Sequence, residues 1–567
     1  MTIKIAFFSN QLCERGTTVN LYNYAYFSEK LINATSYIFY YQENINNVDQ
    51  TIDQFNKSFP NRVFAIDNFY NIDPILLENQ IPIIFLVKSG ENDGLLSKVA
   101  KNIVSCVFNA SQPHGDLYTT VSSWVRNYKN QTILPNLIWL PTLAKTKDET
   151  EDDLRKELDI PQMATVFGRH GGRDRFNHSW VHQIVYQVAK SHPNIYFLFV
   201  NTDTFCPVIK NIIHMDKITD TYQKTRFIKT CDAMLWSRID GETFGMAIAE
   251  FSICNKPVIA SKSGKYQAHV HLLGDRAIWY NRQTLENILT SFDRVAVQTD
   301  YPPNHWDVFQ EYGPEPVIDR LKEAIKKTFD IGIAMITWRK PKTLLNTLES
   351  YRKNGLLNWI QQKVIVLQDS HPEEHEIATQ FGFETIESTN LGIGCGIIRA
   401  TEGLKTKYVL ILENDWFLNS TDFNNQLFHP SNLIAQGKID CYRLRHRKKP
   451  GHPLWSMIAF KGKELSAPQM LLDCVHWIEN PEKEFPKQIT KITKIVRHPI
   501  YNTTAEFANY TNNPCLYDRN WFLEKMSPHF EHSKGRDNEV EISEWWRHQH
   551  FIIGQGDGLF THTDLKR

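Results

Sequence analysis

The chain has 567 residues, 42% of them hydrophobic and 22% charged, which suits a globular protein of about two to four domains with sizeable cores. Lys+Arg and Asp+Glu both total 63, and such a formally neutral chain is a poor general nucleic-acid binder. The nine cysteines are scattered and include no C-x-x-C pair, which argues against a structural zinc or a disulfide framework. No apolar run is long enough for a transmembrane segment, and the N-terminus lacks a basic region leading into an apolar core, so a cytoplasmic location is expected.

Three blocks of alternating strands and helices follow one another. In the first, residues 3–9, 37–41, 63–66, 82–87 and 106–109 are short runs rich in β-branched and aromatic residues, with helix-like segments between several of them. That alternation predicts a parallel sheet covered by helices. The pattern stops near Leu140-Pro141, and the charged segment 145–157 reads as a domain crossing. The second block restarts with strands expected at 165–168, 195–200, 233–236 and 257–261. Helices are expected at 181–191, 223–230 and 244–253. A Pro-rich stretch leads to a charged helix at 317–328. The third block opens with strands at 331–337, 364–367 and 408–412. These patterns set domains at 1–140, 141–328 and 329–567, with the first two facing across a cleft.

In the second block, the run Phe244–Ile253 is apolar almost all round, so its helix is buried. Glu250 then sits where an unpaired carboxylate is costly and needs donors. A ribose diol would supply two hydroxyls; the alternative is an interior Arg or Lys. Thr243 is placed to cap this helix, which turns the amides of its first turn, beside Phe244 and Gly245, toward a diphosphate. Upstream, Gly168-Arg169-His170-Gly171-Gly172-Arg173-Asp174-Arg175 follows a strand. Its glycines admit close backbone approach, and Arg169 and Arg173 are available to phosphates.

These residues resemble the nucleotide-sugar domain of family 4 glycosyltransferases with the GT-B fold. The family's Glu-x7-Glu motif matches Glu242 and Glu250, and its Gly-Arg at a strand end matches Gly168-Arg169. The second cation usually stands five residues after the first; here that position is Asp174, so Arg173 takes the phosphate role instead. The resemblance covers roughly the first 325 residues. It implies that Glu250 holds the ribose, that Glu242 contacts the donor sugar, and that configuration is retained. It also implies an acceptor loop at Arg15-Gly16-Thr17-Thr18, and His114 is a candidate to touch the donor sugar. Each of these loops also reads as an ordinary turn.

In the third block, the apolar strand ending at Leu412 runs into Glu413-Asn414-Asp415, at the carboxyl end where α/β sheets bind ligands. Carboxylates two residues apart on an extended chain point the same way, as a divalent cation bridging a diphosphate requires. This block resembles family 2 glycosyltransferases with the GT-A fold. Glu413-Asn414-Asp415 stands for the D-x-D motif, Asp369 for the acid that contacts the base, and Asn390-Leu391-Gly392 with Arg399 for the segment before the metal motif. The first strand, ending at Thr337, leads into a helix as the family's does, and His562 matches a late metal-ligating histidine. The resemblance implies Mn²⁺ or Mg²⁺ on Asp415 and His562, with Glu413 on the donor side. An inverting reaction needs a carboxylate base, for which Glu539 and Glu541 stand ahead of Trp545-Trp546, a pair able to stack on a sugar. Arg443–Lys449 is a basic run that reads as a solvated loop or as one that covers a diphosphate.

The fold class expected is therefore α/β: two Rossmann-like domains facing across a cleft (GT-B), followed by a single Rossmann-like GT-A domain. The function expected is a bifunctional glycosyltransferase adding two sugars from nucleotide sugars to a growing oligosaccharide, glycoprotein or glycolipid acceptor. Such fusions resemble bacterial and large-DNA-virus enzymes that build surface glycans. A sugar-nucleotide-binding protein with an inactive half, or a nucleotidyltransferase in the last domain, are the alternatives.

Overall fold

The computed structural model describes residues 3–126, 131–141, 153–451, 479–492, 499–530 and 538–563. Its first sheet has six parallel strands. In space they run Val63–Ile66, Thr35–Tyr41, Lys4–Ser9, Ile83–Lys88, Lys101–Cys106 and Leu117–Thr120. A second six-stranded parallel sheet runs Ile278–Tyr280, Val258–Ser261, Ala233–Leu235, Thr165–Arg169, Ile195–Val200 and Ile212–Met215. Counted from each sheet's own first strand, both have the order 3-2-1-4-5-6 of the Rossmann fold. The inner strands are buried on both faces, which is why runs such as 83–87 and 195–200 read as continuous apolar stretches.

The third sheet is mixed. Glu384–Ser388, Gln362–Gln368, Ile331–Trp338 and Tyr408–Glu413 are parallel, again with the first strand inside. Cys515–Asp518 then adds antiparallel to Tyr408–Glu413, and Cys441–Arg445, Ile552–His562 and Tyr501–Thr504 extend the sheet. The α/β expectation with parallel strands is met, while the antiparallel half of this sheet was not foreseen. One strand lies elsewhere than expected: Lys101–Cys106 replaces 106–109, because buried Lys101 and Asn102 masked its start. Residues 145–152 of the expected domain crossing lie outside the described residues.

Helix Pro314–Phe329 carries Pro at its start, Glu315 in its first turn and Lys326 and Lys327 in its last, as the helix dipole favours. Its buried stripe includes Val317, Leu321, Ala324, Ile325 and Thr328. It packs on helix Gly16–Leu31 of the first sheet rather than on the second. A single residue, Asp330, then turns the chain into the third sheet at a left-handed φ of 50°. One apolar core runs from Phe7 and Phe85 through Leu321 and Ile325 to Ile331 and Leu410.

Between the first and third sheets lies a buried polar seam. The π-helical turn Asn424–Phe428 and helix His429–Ala435 carry buried Asn424, Asn425, Gln426, His429, Ser431 and Asn432. Asn424 Nδ2 donates to the Gln80 carbonyl at 2.6 Å, and Asn432 Nδ2 donates to the Pro82 carbonyl at 3.0 Å. Buried side-chain amides thus find backbone acceptors across the interface.

Candidate functional site

In the second sheet the strand order reverses between Thr165–Arg169 and Ala233–Leu235, and open α/β sheets bind ligands at such a switch point. Arg169-His170 leave one strand there and Trp236-Ser237-Arg238 leave the other. Helix Met246–Ile253 points its N-terminus at the same place, with Gly245 at φ 95° as its cap residue. The helix therefore starts later than expected, and Thr243 does not cap it; the Thr243 carbonyl instead accepts from Ser122 Oγ at 2.7 Å. Helix Gly16–Leu31 of the first sheet faces it: a Cβ on Gly16 would stand 3.0 Å from Met246 Cγ. Two helix N-termini thus converge, a natural environment for an anion. Lys217–Glu14 and the rings of Phe108 and Trp124 against Tyr266 also cross this cleft.

Glu250 is 4% exposed and paired from both sides. Lys224 Nζ lies 2.9 Å from Oε1 and His170 Nε2 lies 3.1 Å from Oε2. Burial alone would push this carboxyl up; the Lys224 and His170 charges outweigh it and hold Glu250 down at about 2. Burial pushes His170 below its ordinary value, so at neutral pH Lys224 supplies the counter-charge. The interior-cation alternative is thus present in this structure. Glu242 is half-buried; Arg238 Nη1 donates to it at 2.9 Å and Trp236 Nε1 at 3.3 Å. Arg238 keeps a buried Nε with no hydrogen-bond partner.

The arginines expected to meet phosphate behave differently. Arg169 is buried and donates inward, to Thr202, the Gly172 carbonyl at 2.7 Å and the Asn201 carbonyl at 3.2 Å, so it braces the glycine turn. Burial lowers it to about 10, which leaves it charged at pH 7. Arg173 is exposed and paired with Asp203. His114 is buried in its own loop, where Nδ1 meets the Gln112 carbonyl at 2.7 Å and the ring packs on Tyr118. Its Nε2 has no partner, and the loop lines a cavity of about 330 Å³ with Thr132. His170, Lys224 and Arg238 were missed as site residues. His170 lay unremarked inside the glycine turn, and Lys224 comes from a separate helix, Thr221–Thr230, that no local pattern links to Glu250.

The third sheet reverses between Ile331–Trp338 and Tyr408–Glu413, which brings Thr337 beside Glu413-Asn414-Asp415. Glu413 ends its strand, and Asn414-Asp415 turn the chain into strand Trp416–Leu418. Asn414 is buried and donates to Thr337 Oγ1 at 2.8 Å, and its own carbonyl accepts from Thr347 Oγ1 at 2.6 Å. Thr337 in turn donates to Glu374 at 2.9 Å. Asn414 and Thr337 are therefore framework, while Glu413 and Asp415 stay close enough for the Asp415 charge to act on Glu413. Asp415 Oδ1 is buried without a hydrogen-bond partner, while Oδ2 lies 3.5 Å from His562 Nε2 and 4.0 Å from Lys340 Nζ. Burial, then Asp415 and Glu539, push Glu413 up to about 8, against the pull of Lys340. His562 reaches this point because strand Ile552–His562 runs opposite Trp416–Leu418, with His562 paired to Trp416.

Around this centre, Asp369 sits at the end of its strand with φ 44°, accepting from the Asn390 amide at 3.1 Å and Trp338 Nε1 at 3.3 Å. The acidic strand end and the Asn-x-Gly segment thus meet. Arg399 is exposed on helix Ile393–Gly403, away from the face that helix buries. Glu539 is held by the Asn512 amide at 2.6 Å and Thr511 Oγ1 at 3.0 Å, and Glu541 is exposed. Two expectations fail here. Trp546 is core, 1% exposed, with Nε1 on the Ala508 carbonyl at 2.8 Å, so only Trp545 is partly accessible. The basic run is not a solvated loop at its start: Arg443 and Arg447 are buried, the latter against Tyr501. Among the described residues, no three His, Cys, Asp or Glu side chains already form a metal cage.

No family model and no curated protein matches the chain. Among solved structures, HepE of Anabaena in complex with UDP and glucose is similar over 57% of this chain and 98% of that one, with 14% identity and a TM-score of 0.42. A glycosyltransferase from Rickettsia africae is 15% identical over 56% of this chain and 94% of that one, with a TM-score of 0.41. The lipopolysaccharide outer core galactosyltransferase WaaB, in its apo form, is 13% identical over 57% and 99%, with a TM-score of 0.38. No described helix is long and apolar enough to cross a membrane.

Proposed function

We propose that the chain is a glycosyltransferase with two nucleotide-sugar sites, one in a GT-B-like cleft and one in a GT-A-like domain. The observation that carries this reading is the placement of Glu242 and Glu250 at a Rossmann switch point, where two helix N-termini converge. A nucleoside diphosphate sugar supplies what that place lacks. Its diphosphate meets the amides ahead of Met246, its ribose takes the Glu250 carboxylate from Lys224 or shares it, and its sugar meets Glu242. Helix amides neutralise the leaving diphosphate, so this half needs no metal. The reaction breaks the bond from the sugar's anomeric carbon to the diphosphate oxygen and joins that carbon to an acceptor oxygen. The hydroxyl proton and the nucleoside diphosphate leave. Retention of configuration belongs to this half of the reading.

In the third sheet the donor set fits a hard divalent cation. Asp415 offers an unpartnered oxygen, Glu413 lies close enough to feel its charge, and His562 adds an imidazole. A bound Mn²⁺ or Mg²⁺ would supply charge neutralisation for the diphosphate. The protein's own contribution is to fix Asp415 through its carbonyl, which accepts from the Thr563 amide at 3.0 Å, and to keep water away with Trp416. Glu539, braced on Asn512 beside Glu413, is the better placed of the two candidate bases for an inverting transfer.

The test uses the full chain against a panel of sugar nucleotides, with release of nucleoside diphosphate as readout. Glu250→Ala should remove the metal-independent part of that release, and Asp415→Asn or a chelator the rest. Pyrophosphate as product would instead establish a nucleotidyltransferase. Binding of a sugar nucleotide without any release would establish a binding protein.

A further inference from the structure

Strand direction fixes where each site opens. The cleft site lies at the carboxyl ends of the first and second sheets, near Ser9, Arg169 and Leu235. The third-sheet site lies at the carboxyl ends of Ile331–Trp338 and Tyr408–Glu413. The polar seam, in contrast, touches only amino ends of the first sheet. Asn424 accepts from the amide of Lys4, the first residue of its strand, and bonds Gln80. Asn432 bonds Pro82, just before Ile83, and Gln436 bonds the Lys98 carbonyl just before Lys101 at 3.4 Å.

Seen from the third sheet, the seam is again at amino ends. Phe428 stacks on Phe329 at 4.4 Å and meets Trp359 at 5.6 Å; these residues precede strands Ile331–Trp338 and Gln362–Gln368. The first and third sheets therefore meet amino end to amino end, with their carboxyl ends turned outward. At about 3.3 Å per residue, the strands from Lys4 to Ser9 and from Ile331 to Trp338, with the seam between them, separate the two sites by on the order of 40–50 Å.

Resting on the two-transferase reading, we infer that the sites open at opposite ends of the molecule, so that a sugar acceptor extended at one must leave and cross solution to reach the other. Joining the two sites in one chain then gives equal amounts of both activities but no passage between them. The fused chain does not raise the local concentration of its own intermediate in the way a facing pair would.

The test mixes two full-length variants, Glu250→Ala and Asp415→Asn, each with one working site. The mixture is compared with the unaltered protein at equal concentration of each site. UDP-sugars serve as donors and fluorescent monosaccharide glycosides as acceptors, with MnCl₂ present, and doubly extended product is followed in time. The expected result is the same lag and the same rate for mixture and single chain, within experimental scatter. A several-fold shorter lag for the single chain overturns the opposed placement while leaving both transferase assignments standing. Absence of doubly extended product from the unaltered protein overturns the two-transferase reading and this inference with it. Glu242→Gln in place of Glu250→Ala must reproduce the result, which guards against misfolding of one variant.

Discussion

Glu250 is the residue on which most depends, and the structure shows why its carboxylate matters twice. It is a buried anion held by Lys224, and in the proposed reading it also takes the ribose hydroxyls. Glu250→Ala should weaken UDP binding at the cleft by roughly 10- to 150-fold, the worth of about 1.5–3 kcal/mol for hydrogen bonds to a charged group. Isothermal titration of the Asp415→Asn background, which leaves only the cleft, reads this directly. An unchanged affinity would make Glu250 a core acid only. The same residue sets a pH signature. Its carboxyl is held at about 2, below the ordinary 4.5, so its stabilising contribution is complete above pH 4.5 and fades as pH falls toward 2. Glu250→Gln should therefore destabilise the protein at pH 7, less so at pH 3, and lose that effect only near pH 2, as urea unfolding across this range would show. Asp415 obeys the opposite logic. Its buried Oδ1 has no hydrogen-bond partner and Glu413 stands two residues away, so Asp415→Asn should raise or hold the melting temperature while abolishing Mn²⁺-dependent transfer. At this scale the burial of Glu250 was legible, because an acid inside an apolar run announces itself, while the cations beside it were not. Lys224 and Arg238 come from other elements, whereas Arg169 and Arg173, which looked right in sequence, turn to their own loop and to solvent.

Among elements, the parallel strands were the most legible, since strands buried on both faces read as unbroken apolar runs such as 195–200. Helix starts were less so: helix Met246–Ile253 begins after Gly245, whose left-handed φ lets Glu242 and Thr243 pass as extended chain before the turn. The antiparallel half of the third sheet stayed hidden because its strands, such as Cys441–Arg445, carry arginines that tertiary packing then buries. The seam was illegible for a related reason. Asn424, Asn425, Gln426 and Asn432 look like a surface stretch, and only tertiary partners make them interior residues: carbonyls of the first sheet for Asn424 and Asn432, Asp422 for Asn425, and Tyr442 with the Gly558 amide for Gln426. Asn432→Ala should remove the side-chain hydrogen bond to the Pro82 carbonyl, which keeps the Lys101 amide, and cost about 0.5–1.5 kcal/mol. Chemical denaturation of the full chain would show the loss as a lower midpoint. No change would mean that water replaces the amide.

The whole molecule is less divisible than three sequence blocks suggest. Helix Pro314–Phe329 packs on the first sheet yet enters the third through one residue, and a common core spans both. Cutting the chain at residue 328 should therefore yield fragments that aggregate or bind hydrophobic dye, not two soluble enzymes; two folded, monomeric fragments would disprove the shared core. The same weld decides what can move. The cleft is shut here, with Gly16 against Met246 and Ser122 bonded to the Thr243 carbonyl, so a nucleotide enters only after the walls part. One wall is fixed to the third sheet. The other joins it through the segments near Ile138 and Tyr312, where the Ile138 amide donates to the Tyr312 carbonyl at 2.8 Å, and through an apolar cluster that runs from Phe8 and Leu86 to Phe244 and Phe309. Opening the cleft must therefore peel the second sheet from that shared cluster, so each opening bares greasy surface to water that the closed molecule hides.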